Sequence, residues 1–285
     1  MRRRRILVTG ASGRLGAPLV GALSGSHEVV QLDVKEPDNP AQCALGKVVA
    51  GSILDGATVA EALDGVDTVV HAAAIPGNHR PFVDLIQINE MGTLTLLEAC
   101  GDRHAVEQFV YISSVCWHGL LDDPLDETMP RFLPITEDHP SVARQYYGFS
   151  KVQAEAWCRF YTQRYKKPAV AVRPAWIVQS DEDHPLEARP AADRPRLHDY
   201  VAVADLVDGI ARAIEYEPPD GFDRFLFNGD EQYSMTPSLE LAARYFPGIP
   251  ADEEKLSACD GFGALVDCSH AKEALDWRPV VRCRR

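Results

Sequence analysis

The stretch R-Q-Y-Y-G-F-S-K, residues 144–151, sets Tyr147 four positions before Lys151. On a helix, side chains four apart share a face, so the Lys151 ammonium can stand beside the Tyr147 phenol. A phenol has an unperturbed pKa of about 10, too high for a base at neutral pH. A nearby cation favours phenolate and brings it toward useful range. The same residues also read as two aromatics packing beside a solvated lysine. Tyr146 has Ser150 as its i+4 partner, which gives it a packing or substrate-side role.

A second chemical pattern lies near the N-terminus. T-G-A-S-G-R-L-G places Gly10, Gly13 and Gly16 directly after the apolar run R-I-L-V-T and at the start of a helical pattern. Glycines there let the backbone turn tightly and approach a pyrophosphate, while a helix N-terminus supplies free N–H groups. Alone, the pattern is also that of a tight turn. Asp33 lies 23 positions after Gly10, close to the ~20 expected of the acid that bonds an adenosine ribose. A carboxylate there accepts from both ribose hydroxyls and repels a 2′-phosphate, which favours NAD over NADP. Arg14 and Lys35 would soften that preference.

These residues need a scaffold. Apolar runs predict strands over 5–9, 27–33, 47–50, 67–73, 108–114 and 169–174. Helix-period segments over 13–23 and 57–63, one including I-N-E-M-G-T-L-T-L-L-E-A-C, and the Tyr147 helix alternate with them. That alternation predicts an α/β, doubly wound parallel sheet of Rossmann type, with ligands outside the carboxyl ends of its strands. Residues 1–178 and 201–228 are assigned to an NAD-binding domain. Residues 179–200 and 229–285 are assigned to a small substrate-binding region, the latter stretch reading as a small mixed cap. The segment 179–200, rich in proline and charge, reads either as a surface linker or as a loop touching substrate.

Composition bounds the partners. A formal charge of −13 opposes nucleic acid and anionic membrane as partners. No stretch reaches the roughly 18 apolar residues of a membrane span. Arg2 to Arg5 run straight into I-L-V and the glycine loop, without the apolar core of a secretion signal. Seven cysteines without C-x-x-C spacing fit reduced thiols in a cytoplasmic protein and no metal site.

Taken in order, T-G-A-S-G-R-L-G, V-V-H-A-A-A, I-N-E-M-G-T, V-Y-I-S-S, Y-G-F-S-K, R-P-A-W-I-V, Y-V-A-V-A-D-L-V and A-L-D-W-R-P span essentially the whole chain. In that order they resemble the extended short-chain dehydrogenase/reductases, the branch of NAD-dependent epimerases and dehydratases. The resemblance implies Tyr147 as the acid/base, Lys151 as the group that holds the ribose and lowers the phenol pKa, and Ser114 as a hydrogen-bonding partner of the reacting oxygen. Asn89 matches the family asparagine, for a proton relay or for a cap. His71 and the alanines after it match the wall beneath the cofactor, with a structural role favoured for His71. The implied cofactor set is Gly10, Ser12, Gly13, Arg14, Leu15, Gly16, Asp33, Ser52, Ile53, Ala72, Ala73, Ala74, Tyr147, Lys151 and Pro174.

Departures from the family pattern bear on substrate. V-C-W-H after Ser114 lacks the acidic pair of the dehydratases. Cys116 stands where epimerases usually carry threonine, and His118 where they carry tyrosine; a thiol is a poor hydrogen-bonding substitute. The segment between Pro174 and Tyr200 is short for a nucleotide-sugar site, a layout similar to uronate dehydrogenases. Ser114, Cys116, Trp176, Arg189, Arg194 and Arg196 are therefore the candidate substrate residues, the arginines as a carboxylate clamp or as exposed charge in a polar loop. The leading expectation is hydride transfer between NAD and a small sugar, sugar acid or polyol. The alternatives are a nucleotide-sugar epimerase with tightly held NAD and a non-catalytic nucleotide-binding regulator. A homodimer is expected, since relatives pair through two helices; the same apolar stripes also serve packing on the sheet.

Overall fold

The computed structural model of the chain describes residues 2–77, 80–120, 129–179 and 197–283. β1 (Arg5–Thr9), β2 (Glu28–Asp33), β3 (Gly46–Ala50), β4 (Thr68–His71), β5 (Gln108–Ile112) and β6 (Ala169–Pro174) pair in parallel in the order β3-β2-β1-β4-β5-β6. A further strand, Phe222–Phe227, lies beside β6. All residues of β4, β5 and β6 are buried, as expected of parallel strands covered on both faces. The strand order reverses direction between β1 and β4, so the loops after these two strands flank the crevice where such sheets bind ligands.

The first helix, α1, covers Gly16–Ser24, three residues later than its glycine-rich start suggests. Residues 10–15 instead form the turn, closed by Gly13 N–H donating to the Gly10 carbonyl at 3.0 Å. The segment read as one helix after β4 is three pieces: α-helix over Phe82–Leu85, a π-helix over Ile86–Gly92, and α-helix over Thr93–Gly101. Residues 229–285 read as a mixed cap. Their described part instead holds the helices Ser238–Tyr245, Glu253–Gly261 (interrupted at Ala258–Asp260) and Ser269–Ala274, with isolated bridges only. Proline and Asp252 start the first two of these helices, and their apolar residues Leu241, Phe246 and Leu256 close a core with Leu265 and Val266.

The described residues form two compact units. One comprises Met1–Ser113, Phe149–Val172 and Ile210–Asp223; the other comprises Ser114–Gly148, Arg173–Gly209 and Arg224–Arg285. The first is built on a core that includes Leu7, Val30, Val69, Leu96, Phe109 and Tyr161. Among the described residues, no helix is long and apolar enough to cross a membrane. No group of three or more His, Cys, Asp or Glu there could hold a metal.

Candidate active site

In the first unit, the phosphate loop and the wall after β4 approach closely. Gly10 has φ +68, and a Cβ there would lie 2.8 Å from the Ala73 nitrogen. A Cβ on Gly16 would lie 2.0 Å from the Gly10 carbonyl oxygen. Only glycine fits either position. The first turn of α1 has no side-chain cap and no acidic residue, so no local carboxylate opposes the partial positive charge of the helix N-terminus; Ala17 N–H donates to the Gly13 carbonyl and Leu19 N–H to the Leu15 carbonyl. At the end of β2, the Asp33 carboxylate accepts from the Ser12 N–H at 2.9 Å, and the Ser12 hydroxyl donates to the Lys35 carbonyl at 3.0 Å. Asp33 is thus fixed beside the loop whose glycines spaced it in the sequence. This tight glycine cradle and oriented carboxylate fit a dinucleotide.

The other cofactor candidates divide by what they touch. Gly13 and Arg14 are exposed and Leu15 is buried. The Ser52 hydroxyl accepts from Leu54 N–H, while the buried Ile53 packs where a Cβ on Gly92 would stand. Ala72 N–H donates to the Thr9 carbonyl, and Ala73 N–H to the Thr9 hydroxyl. Ala74 is half-buried, and Pro174 is buried at the end of β6. Asn89, 1% exposed, holds both ends of the Ile75 peptide, accepting from its N–H at 2.8 Å and donating to its carbonyl at 3.1 Å. It also donates to the Ser150 hydroxyl at 3.1 Å. The buried Lys151 donates to the Ile112 carbonyl at 2.9 Å and stands 4.9 Å from the centre of the Tyr111 ring.

The second unit holds Ser114 and Tyr147. Ser114 is extended, at φ −166, and its hydroxyl accepts from Cys116 N–H at 3.1 Å, starting the short 3-10 turn Val115–His118. Tyr147 is hydrogen-bonded to Ser114. Burial pushes the Tyr147 phenol up from its usual pKa; Cys116 adds to the rise and the Ser114 hydrogen bond opposes it. These neighbours keep the phenol protonated, so phenolate requires added positive charge. Ser113, one residue before Ser114, donates instead to Glu155 at 2.6 Å within the first unit. This is the alternation of faces expected of a strand end.

Several features carry weight that the sequence did not reveal. Gly148 is required because a Cβ there would lie 2.4 Å from the Cys116 carbonyl oxygen, which brings the Tyr147 turn onto the Ser114 turn. Arg173, fully buried, stacks 3.6 Å over the Trp117 ring and donates to His118 and to the Glu137 carbonyl. His118 is therefore an interior residue. Trp176 packs edge-on to Tyr233 at 5.7 Å, in a small cluster with Val178, Tyr200 and Cys283. Arg189, Arg194 and Arg196 lie outside the described residues.

A doubly wound sheet with a glycine cradle at its switch point, and a tyrosine that is hydrogen-bonded to a serine and opens a helix carrying a buried lysine, is the layout of a nucleotide-dependent α/β enzyme. The profile of the NAD dependent epimerase/dehydratase family matches residues 6–185. The chain belongs to that family and is an NAD(P)-dependent enzyme of the short-chain dehydrogenase/reductase type. It is 27% identical over 244 residues to L-arabinose 1-dehydrogenase (NAD(P)(+)) of Haloferax volcanii, covering 82% of this chain and 93% of that one. It is 31% identical over 171 residues to uronate dehydrogenase of Pseudomonas putida, covering 59% of each. In fold it is similar to a short-chain dehydrogenase/reductase superfamily protein from Agrobacterium tumefaciens solved with bound NAD. That match has a TM-score of 0.74 and 23% identity, and covers 99% of this chain and 94% of that one. Both of these curated relatives are named as dehydrogenases of a sugar or sugar acid.

Proposed function

We propose that the chain is an NAD-dependent dehydrogenase oxidising a hydroxyl-bearing carbon of a small sugar, sugar acid or related polyol. The observation that carries this reading is the Tyr147 phenol hydrogen-bonded to Ser114, at the start of the helix Tyr146–Tyr165 that also carries Lys151. Ser114 orients the substrate hydroxyl and Tyr147, as phenolate, takes its proton. Lys151 is assigned to the ribose, and the positive charge of the oxidised nicotinamide favours the phenolate when the cofactor is bound. Asn89 keeps the Ile75 loop and Ser150 in place beside that lysine. Acceptance of the hydride is the chemistry that NAD supplies when bound. Residues 179–200 and 229–285 are assigned to substrate binding, with Cys116 and Trp176 as further contacts; 180–196 lie outside the described residues. Seven cysteines without C-x-x-C spacing accord with a cytoplasmic location.

Support for a small free sugar comes from the arabinose and uronate dehydrogenases. Net cofactor reduction is the test. L-Arabinose, D-glucuronate and D-galacturonate with NAD are expected to give a growing NADH absorbance, and UDP-glucuronic acid none. Conversion of a nucleotide sugar without net NADH, with no reaction of the free sugars, would replace this reading by the epimerase.

Cofactor choice is assigned to Asp33. Asp33→Asn keeps an acceptor for the Ser12 N–H but removes the charge that repels a 2′-phosphate. The ratio of kcat/KM for NADP over NAD is expected to rise about tenfold or more. An unchanged ratio would mean that another residue reads the ribose.

The homodimer is assigned to an apolar face of the first unit. Phe82, Val83, Ile86 and Met91 on one side, and Phe149, Trp157 and Phe160 on the other, are exposed hydrophobics. Sedimentation is expected to give twice the chain mass, and Phe160→Glu to give the monomer; a wild-type monomer would end the assignment.

A further inference from the structure

His71 closes β4 with its ring fully buried between Phe109 and Tyr111, at centroid distances of 6.1 and 5.7 Å. A packing role alone would call for an apolar residue, yet both ring nitrogens are bonded. Nδ1 lies 2.7 Å from the Thr9 hydroxyl and Nε2 lies 2.9 Å from the Thr93 hydroxyl. The flanking groups set the direction of every proton. The Asn89 carbonyl can only accept, so Thr93 donates to it, at 2.6 Å, and must accept from His71 Nε2–H. Nδ1 is then the acceptor for the Thr9 hydroxyl, whose oxygen accepts from Ala73 N–H at 3.1 Å. Burial, and after it the Lys151 charge, push the imidazole pKa down to about 3, so the ring stays neutral near pH 7.

One chain of donors therefore runs from the cofactor wall at Ala73, through Thr9, His71 and Thr93, to the Asn89 carbonyl. Asn89 sits in the π-helix, whose wide turn frees backbone groups from the usual ladder. Its side chain is the clamp on Ile75 and Ser150 already described.

We propose that His71 is a positioning residue of the active site, a neutral link tying the phosphate-loop end of β1 to Asn89, so that Asn89 holds Ile75 and Ser150 in register with Lys151. It rests on the reading of Asn89 and Lys151 as active-site residues. A buried, singly oriented ring suits this task because its two bonds are not interchangeable with water.

Thr93→Val in the full chain keeps the side-chain shape and removes the hydroxyl, whereas Thr93→Ser keeps the hydroxyl. Nitrogen-15 spectra of the wild type at pH 7 are expected to give His71 as the Nε2–H tautomer. In Thr93→Val, hydrogen exchange at the Ile75 amide is expected to quicken about tenfold or more, and in Thr93→Ser to return to within about threefold of wild type. With L-arabinose or D-glucuronate, kcat is expected to fall about tenfold or more in Thr93→Val, with KM for NAD within about threefold and rescue by serine. A charged or Nδ1–H ring, or unaltered Ile75 exchange in Thr93→Val, would overturn the proposal. If the wild type reduces NAD with no sugar, the dehydrogenase reading fails, and the spectra and the exchange rates still decide the link.

Discussion

Tyr147→Phe is expected to abolish net NADH formation, lowering kcat by about 10³-fold or more, with NAD binding within about threefold of wild type. The substitution removes one oxygen and keeps the ring, so the structural loss is the hydrogen bond to Ser114, about 1 kcal/mol. The chemical loss is far larger, since no other described group that meets Ser114 is a proton acceptor of suitable strength; Cys116 touches its hydroxyl through the backbone N–H. Because burial and Cys116 hold the phenol above its usual range, the deprotonated base is scarce at neutral pH. The oxidation rate of the wild type is therefore expected to rise with pH, by up to tenfold per unit on the acid side of that pKa. Initial rates between about pH 6 and 10, a range that ends at the usual pKa of a phenol, and an NAD titration of the variant check both statements. A variant that keeps a near-normal rate would remove Tyr147 from the chemistry.

Gly16→Ala has the second largest expected effect. The new Cβ would meet the Gly10 carbonyl oxygen at 2.0 Å and the Ala11 Cα at 2.8 Å, both backbone atoms that no rotamer change can move aside. The loop must open to admit it, which separates the α1 N-terminus from the phosphate position. We expect NAD affinity to fall about 100-fold or more, with a stability loss of about 1–3 kcal/mol. Gly21→Ala is the control, since a Cβ at that position of α1 meets nothing within 4 Å. It is expected to stabilise by about 0.5–1 kcal/mol and to leave NAD binding unaltered. Thermal melts and NAD titrations of the pair separate the two cases. Equal affinity in both variants would mean that the loop does not cradle the pyrophosphate.

What was legible in the sequence followed from local rules. The buried strands of the sheet are short apolar runs, and their bounds are read to within one or two residues because both faces are covered and polarity changes sharply at each end. The glycine loop and Asp33 carry a spacing that only a β–turn–α unit uses, and the structure joins them through Ser12. Ser113 and Ser114 part to opposite faces as strand alternation requires.

Misread features share one property: their partners are distant in the chain. Periodicity alone made the segment including residues 88–100 a regular helix, yet Ile86–Gly92 is a π-helix. Asn89 there reaches Ser150, 61 residues away. His118 stood in the sequence only as a departure from the epimerase tyrosine; Arg173, 55 residues on, donates to it and stacks over its neighbour Trp117.

By itself, then, the amino-acid sequence determined the doubly wound sheet, the glycine loop, the acid that closes β2 and the tyrosine–lysine spacing. Each of these is a matter of backbone conformation or helix and strand period over a few residues. Only the tertiary structure decided which buried polar groups face one another, what sets the phenol's proton affinity, and how Asn89 is held. Burial and hydrogen-bond direction are properties of space between segments, and no local pattern of residue types encodes them.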